Sequence, residues 1–480
     1  MVMATTFSRN PDALPQLIGE FAPLDEWQAH ISQIFYGLRA GRIRDYYQTF
    51  ASADYRLAHA LAADYYERVC TRDRLRTTQE GQKPTAPLVV HEWGCGNGNL
   101  AACFLSHLRK LDQAGTVYPR VRYVLVDNQE GVLEAARNHP DLAGHGERVE
   151  VLCADAAALA SVQDRTVDRI ICNELWNELP TKLMLRNASE VEEEYLRPNL
   201  TEAKHDEIQD WPAFVRAFEA KDSQALAQFP PFLEDIVWEK EYRKTEWRAV
   251  PYRKTITEFL KKIDEQVMVP VNLGACAMLE EAKRLLAEGA IGFSSFDAGT
   301  ADLAILNDPD KPCYGQFGGQ YSFMINFALV EAVARHQGVA TVALESQREF
   351  VGRNLGANVL SLMDLLAAYP TADRLAPWEQ DRLIIQTIRL LNQRYRSPYK
   401  RSIEFTLRED MPAAQRQALE GILRSLPPDG IPDTVAYVSE EEVLGLLGEL
   451  ETLGYDPQMV QAALRVHPQS VDYLHLYLNY

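Results

Sequence analysis

The sequence predicts an α/β protein on a mostly parallel sheet, with a helical N-terminal segment, an inserted accessory subdomain and a helical C-terminal tail. Three observations lead there. Short apolar runs alternate with helix-spaced segments between Pro87 and Asn173, and strands that alternate with helices form a parallel sheet covered on both faces. That rhythm breaks from Glu190 to Lys262, a stretch rich in charge and aromatic rings, and returns near Leu279. Past Tyr395, Ser397-Pro398 and the run Pro427-Pro-Asp-Gly-Ile-Pro432 punctuate helical patterns.

Taken in order, Glu26 to about Val69 repeats apolar residues three and four apart, among them Ile31, Ile34, Phe35 and Leu38, the spacing of a helix. Arg72 to Ala86 is polar, ends in Lys-Pro-Thr-Ala-Pro and reads as a linker. Strands follow at Pro87 to Glu92, Val121 to Asp127, Val149 to Cys153 and Val167 to Asn173, with helices at Leu100 to Leu111 and Glu130 to Arg137. Downstream, Leu279 to Leu286 and Phe327 to His336 read as helices, and Ala290 to Phe296 and Val339 to Leu344 as strands. Glu440 to Tyr480, broken at Gly454 and Pro468, fits three short helices. The expected divisions are a helical segment (1–86), an α/β core (87–189), an inserted subdomain (190–270), the rest of the core (271–395) and a helical domain (396–480).

Composition narrows the partners. The 480 residues are 46% hydrophobic and carry a formal net charge of −19, which disfavours adhesion to nucleic acid or anionic membrane. Met1 to Asp12 has no apolar stretch, and no run reaches the roughly 18 apolar residues of a membrane span. A cytoplasmic chain is expected, with a protein substrate as partner, a homodimer as a compatible assembly, and neither nucleic acid nor membrane. Seven cysteines, odd in number and irregular in spacing, favour reduced thiols. His and Cys do not cluster at ligand spacing, so no metal site is expected.

The informative stretch is Glu92-Trp-Gly-Cys-Gly-Asn-Gly98, between a strand and a helix. A sharp turn that a ligand must approach closely favours glycine, because a Cβ would clash, and the following helix offers free N–H groups to negative charge. A dinucleotide site wants G-x-G-x-x-G, but Asn99 stands at the sixth position, leaving E-x-G-x-G-x-G. Asp127 ends the next strand, where a carboxylate can accept both ribose hydroxyls. Asp155 follows the third strand and is placed to accept from an adenine amino group. Asn173 and Glu174 end the fourth, at the edge where open α/β sheets bind ligands.

In this order the features resemble the Rossmann-like class I S-adenosylmethionine-dependent methyltransferases. Ile171-Cys-Asn-Glu-Leu-Trp-Asn-Glu-Leu-Pro180 is similar to the N-E-F-F-D-A-L-P signature of the MidA-like family, which includes the mitochondrial complex I assembly factor that methylates a protein arginine. Gln320 to Phe327 and Ser346 to Phe350 resemble two further family segments, and the likeness runs from about Val89 to Asn392. Where the family has aspartates, this chain has Asn177 and Asn326. The resemblance implies S-adenosyl-L-methionine as cofactor, bound by Glu92, Gly94, Gly96, Gly98, Asp127, Asp155 and Asn173, and a protein side chain such as arginine as acceptor.

An arginine acceptor arrives protonated, so carboxylates must orient it. Glu174 is the candidate, and Glu178 would share its face if the segment were helical. Trp93 and Trp176 flank the site in sequence and could stack on adenine or guanidinium, with core packing the expected use of at least one of them. Tyr46-Tyr47 and Asp54-Tyr55 are lid candidates. Glu192-Glu-Glu194 reads as a solvated face or a dock for a basic segment. Leu450 to Leu478 faintly resembles a ubiquitin-associated three-helix domain. A small-molecule acceptor, or a non-catalytic assembly factor that keeps the fold, are the alternative functions.

Overall fold

The computed structural model describes residues 16–39, 54–80, 85–248, 250–395, 397–399, 402–403, 413–424, 431–432, 436–466 and 472–480. Its centre is an eight-stranded sheet. Seven strands form its main path, β1 (Leu88–Trp93), β2 (Val121–Asp127), β3 (Val149–Cys153), β4 (Arg169–Asn173), β5 (Gly292–Thr300), β6 (Thr341–Ser346) and β7 (Asp472–Asn479). They lie in the order β3-β2-β1-β4-β5-β7-β6. The first five run parallel, whereas β7 pairs antiparallel with both β5 and β6. Strand order reverses between β1 and β4, and such a reversal opens a crevice beyond the carboxyl ends of the strands.

Both faces of the sheet are covered, as the alternation predicts. On one face α1 (Leu24–Arg39) is absent, and the apolar sides of α2 (Tyr55–Glu80) and α3 (Asn99–Leu111) pack through Leu61, Tyr65, Phe104 and Leu108 onto Val90 and Leu125. On the other, helices Leu273–Leu285 and Phe327–His336 pack Leu279, Val330 and Val333 against Ile170 and Phe293. The expected linker at Arg72 to Ala86 is corrected in its first half. Helix α2 continues to Glu80, and Arg72 explains why a polar run stays ordered: it pairs with Asp168 at the foot of β4.

The accessory region is a second, largely antiparallel sheet rather than an insertion confined to 190–270. It begins at Lys182–Asn187, continues through Glu190–Leu200 and Ile236–Lys244, and takes in Val269–Val271 and the short strands Gln16–Leu17 and Ala22–Pro23. Helix α1 lies on it, burying Leu24, Trp27, Ile31, Ile34 and Phe35 with Leu183, Leu196 and Phe218. The N-terminal segment therefore belongs partly to this layer. The acidic run is neither a wet face nor a dock: Glu193 and Glu194 are buried, paired with Lys182 at 3.3 Å and Lys240 at 3.4 Å.

Towards the C-terminus, Leu360 to Leu464 supply a separate apolar cluster. It contains the short helices Glu440–Leu444, Leu447–Leu453 and Pro457–Ala463. The last expected helix is a correction, because Asp472–Asn479 is strand β7 of the central sheet, so Tyr473 to Leu478 belongs to no three-helix domain. Its alternation of buried Leu476 and Leu478 with flanking rings is a period of two misread as helical. All seven cysteines are free. Among the described residues no helix is long and apolar enough to cross a membrane.

Candidate active site

A cleft of about 270 Å³ lies over the carboxyl ends of β1, β2 and β4, where the strand order reverses. Of the residues expected from the sequence, Glu92, Gly94, Gly96, Asp127, Asp155, Asn173, Glu174 and Glu178 line it. Gly98 does not. It caps α3 at φ 77°, and a Cβ there would meet Ala136 and Leu142 at 3.2 and 3.1 Å. Its glycine serves the turn, not the ligand.

Gly96 is different. Its φ is +51°, in the left-handed region, and a Cβ would meet nothing within 4 Å, so the loop leaves open space beside the cleft. The loop is held against β2, with the Gly94 and Cys95 amides donating to the Val126 carbonyl at 2.9 and 3.3 Å.

Burial shapes the acids along this wall. The Glu92 carboxyl accepts from the Tyr123 hydroxyl at 2.8 Å, yet loss of solvent pushes it up to about 8. Burial likewise raises Asp127 to about 6, opposed by hydrogen bonds from the backbone of Gln129, Asn128 and Gly96. Asp155 is exposed, and its carboxylate accepts from the Ala157 amide at 2.8 Å in a tight turn. The Oδ1 of Asn173 is shielded from solvent and has no donor among the described residues, leaving an acceptor for what enters the cleft.

The opposite wall is the segment after β4. Glu174 has φ 50°, unusual for a residue with a Cβ, and its amide donates to the Phe296 carbonyl at 2.7 Å, extending the β4–β5 pairing. The chain then makes a short 3-10 turn, Trp176–Glu178, instead of the α-helix on which the shared-face argument for Glu178 depended. The two glutamates nevertheless line one cleft.

Asp297 of β5 sets that turn. Its carboxylate accepts from the amides of Trp176 at 2.8 Å and Asn177 at 3.2 Å, and burial pushes it up to about 7. Sequence reasoning missed it. The available signal was a charged residue inside the apolar run Ile291 to Ala298, near the carboxyl end of a parallel strand. Tyr36 of α1 was also missed: it lines the cleft and donates to Glu178. So was Tyr473, whose buried phenol stands next to Glu174, the charge of that carboxylate pushing it up.

Several expectations are corrected here. Trp93 and Trp176 are fully buried beneath the cleft against Phe293, at ring separations of 6.0 and 5.8 Å, so they pack the core and stack on no ligand. Asp54 is buried, accepting from the amides of Ala436 and Tyr437 at 2.7 and 2.9 Å, which makes it an anchor and not a lid. Tyr46 and Tyr47 lie outside the described residues. The roof over the cleft is instead α1, through Ser32, Gln33 and Tyr36. Asn326 lies away from the cleft and caps helix Phe327–His336, accepting from the Leu329 amide at 3.1 Å.

Comparison with known proteins bears on the cofactor. Residues 70–301 match the family described as "Putative S-adenosyl-L-methionine-dependent methyltransferase". The chain is an S-adenosylmethionine-dependent methyltransferase. The matched span holds every residue of the cleft except those supplied by α1. A Burkholderia thailandensis protein solved with S-adenosyl-homocysteine is similar at 14% identity, covering 70% of this chain and 77% of that one with a TM-score of 0.47. A second structure from Burkholderia thailandensis, in native form, is 14% identical over 87% of this chain and 86% of that one, with a TM-score of 0.43. A search of curated proteins finds no match.

The residues present fit S-adenosylmethionine. The open space at Gly96, the acids Glu92, Asp127 and Asp155 for hydroxyl and amino donors, and the unpartnered Asn173 Oδ1 supply the contacts such a molecule needs.

Proposed function

We propose that the methyltransferase acts on a protein side chain, an arginine, as the resemblance to the MidA-like family implies. The observation that carries this reading is the charge of the cleft. Asp127, Asp155, Glu174 and Glu178 line it beside the largely protonated Glu92, and among the described lining residues there is no Lys, Arg or His. Such a wall favours a cation and opposes a phosphorylated or carboxylated acceptor.

When bound, S-adenosylmethionine supplies an activated methyl group. The protein's own task is then to hold the acceptor nitrogen and exclude water. Glu174 and Glu178 accept hydrogen bonds from a guanidinium, orient one nitrogen toward the cofactor side, take up the proton that this nitrogen gives up as it gains the methyl group and stabilise the single positive charge that remains. Asp297 keeps the turn between them in place by holding two of its amides. Tyr36 and the rest of the α1 roof cover the acceptor side.

The departure at Asn326 does not argue for a non-catalytic protein. Asn and Asp are both good N-caps, and Asn326 spends its side chain on the cap and on the Pro270 carbonyl at 3.1 Å. The test is transfer of tritiated methyl from S-adenosylmethionine to proteins of a host lysate, followed by amino-acid analysis of the labelled fraction. Methylated arginine is expected, and Glu174→Gln is expected to lower its yield by roughly a hundredfold, the range for a lost acid or base group. Label confined to small molecules would refute the protein acceptor.

A further inference from the structure

The two acceptor carboxylates sit on the stretch of chain that matches the family, but the groups that touch them come from elsewhere. Glu178 receives the hydroxyl of Tyr36, from helix α1 near the N-terminus. Beside Glu174 stands Tyr473, from the start of β7 near the C-terminus, its phenol pushed up chiefly by the charge of that carboxylate and by burial. Neither tyrosine falls within residues 70–301.

The fold explains how such distant residues arrive. Because β7 runs antiparallel to β5, its first residues lie at the carboxyl edge of the parallel strands, and Tyr473 pairs with Ala298, next to Asp297. A parallel last strand would place its first residues at the opposite edge. Helix α1 is fixed over the cleft by Gln28, whose amide donates to the Leu179 carbonyl at 2.8 Å and accepts from the Thr181 amide at 2.9 Å. Those contacts clamp the helix to the segment that carries Glu178.

We propose that Tyr36 and Tyr473 are positioning residues, each holding one acceptor carboxylate, Glu178 and Glu174, in the orientation that receives a cationic acceptor. A carboxylate on a rotatable side chain has several rotamers, and a hydroxyl donor selects among them. Burial and the adjacent carboxylates keep both phenols protonated, Glu178 acting on Tyr36 and Glu174 on Tyr473, so each remains a donor. The inference rests on the reading of Glu174 and Glu178 as the acceptor site.

The test needs no acceptor. S-adenosylhomocysteine and sinefungin differ where the methyl group would be carried, sinefungin presenting a primary ammonium there, so the ratio of their calorimetric dissociation constants reports the acceptor carboxylates. Wild type is expected to prefer sinefungin. Tyr36→Phe and Tyr473→Phe are each expected to shrink that preference about tenfold, as befits a lost hydrogen bond to a charged group, while S-adenosylhomocysteine affinity stays within about threefold. In the Glu178→Gln and Glu174→Gln backgrounds the matching Phe substitution should have no further effect.

A preference untouched by the Phe variants but removed by the Gln variants would overturn the positioning role and leave the acceptor site standing. Loss of S-adenosylhomocysteine affinity in step with the preference would reduce the tyrosines to structural parts, again overturning it. A preference insensitive to the Gln variants would sink the acceptor site itself, and the tyrosine proposal with it.

Discussion

The two walls of the cleft are built in different ways. The wall proposed for the cofactor is local: Glu92 lies at the end of β1, Gly94 and Gly96 follow it, Asp127 ends β2, Asp155 follows β3, and each is within a few residues of the strand that places it. The wall proposed for the acceptor is assembled over the whole chain, with Glu174 and Glu178 after β4 and Tyr36 on α1 lining it, backed by Asp297 on β5 and Tyr473 on β7. On this proposal, binding a donor requires only the sheet edge. Presenting an acceptor requires the two ends of the chain to return to it.

The strongest way to break this division is to damage one wall and read the other. Gly96→Val puts a branched side chain into the open space of the loop at φ +51°, where a Cβ residue also carries about 1–2 kcal/mol of backbone strain. Equilibrium dialysis should register a loss of S-adenosylhomocysteine affinity of roughly a hundredfold or more, about 2.7 kcal/mol. Retained binding would mean that the loop does not face the cofactor.

Next in size is the effect of pH on Glu92. Its folded value of about 8 lies above the ordinary 4.5, so between those values the unfolded chain releases a proton that the folded chain keeps. Stability from this group is complete below about 4.5 and is lost as pH rises through about 8, on the order of several kcal/mol at 1.4 kcal/mol per unit. Glu92→Gln removes that loss. Melting temperatures of the free protein should therefore favour the variant increasingly from pH 5 to pH 8.5. Parallel curves would place Glu92 in contact with water.

The smallest expected effect is at the rim. Asp155 is exposed and already engaged with Ala157, so Asp155→Ala should weaken cofactor binding only about fivefold, one ordinary hydrogen bond's worth. A hundredfold loss would shift the weight of adenine recognition to this residue.

This contrast also explains what could be read from the sequence. Strands β1 to β4 and the acids at their ends follow from short-range patterns, a run of apolar residues and the residue that closes it, and the structure has them within a residue or two of the expected bounds. Asp297, Tyr36 and Tyr473 act through contacts 120 or more residues away in sequence, which no window of periodicity contains. Strand β7 shows the same limit. Asp472–Asn479 is eight residues long, too short for helical and strand periods to separate cleanly, and its place is set by pairing with β5 and β6. Likewise Glu193 and Glu194 read as surface because their partners, Lys182 and Lys240, are visible only once the second sheet is folded.

The most direct measurement is a calorimetric titration of the wild-type chain and of Glu174→Gln with S-adenosylhomocysteine, which lacks the positive charge that Glu174 would read. Equal, saturable binding of one cofactor to both proteins is the expected result, because the donor wall forms without the acceptor wall. No heat with the wild type, or binding that vanishes with Glu174→Gln, would contradict the division of the cleft into a local cofactor wall and an assembled acceptor wall.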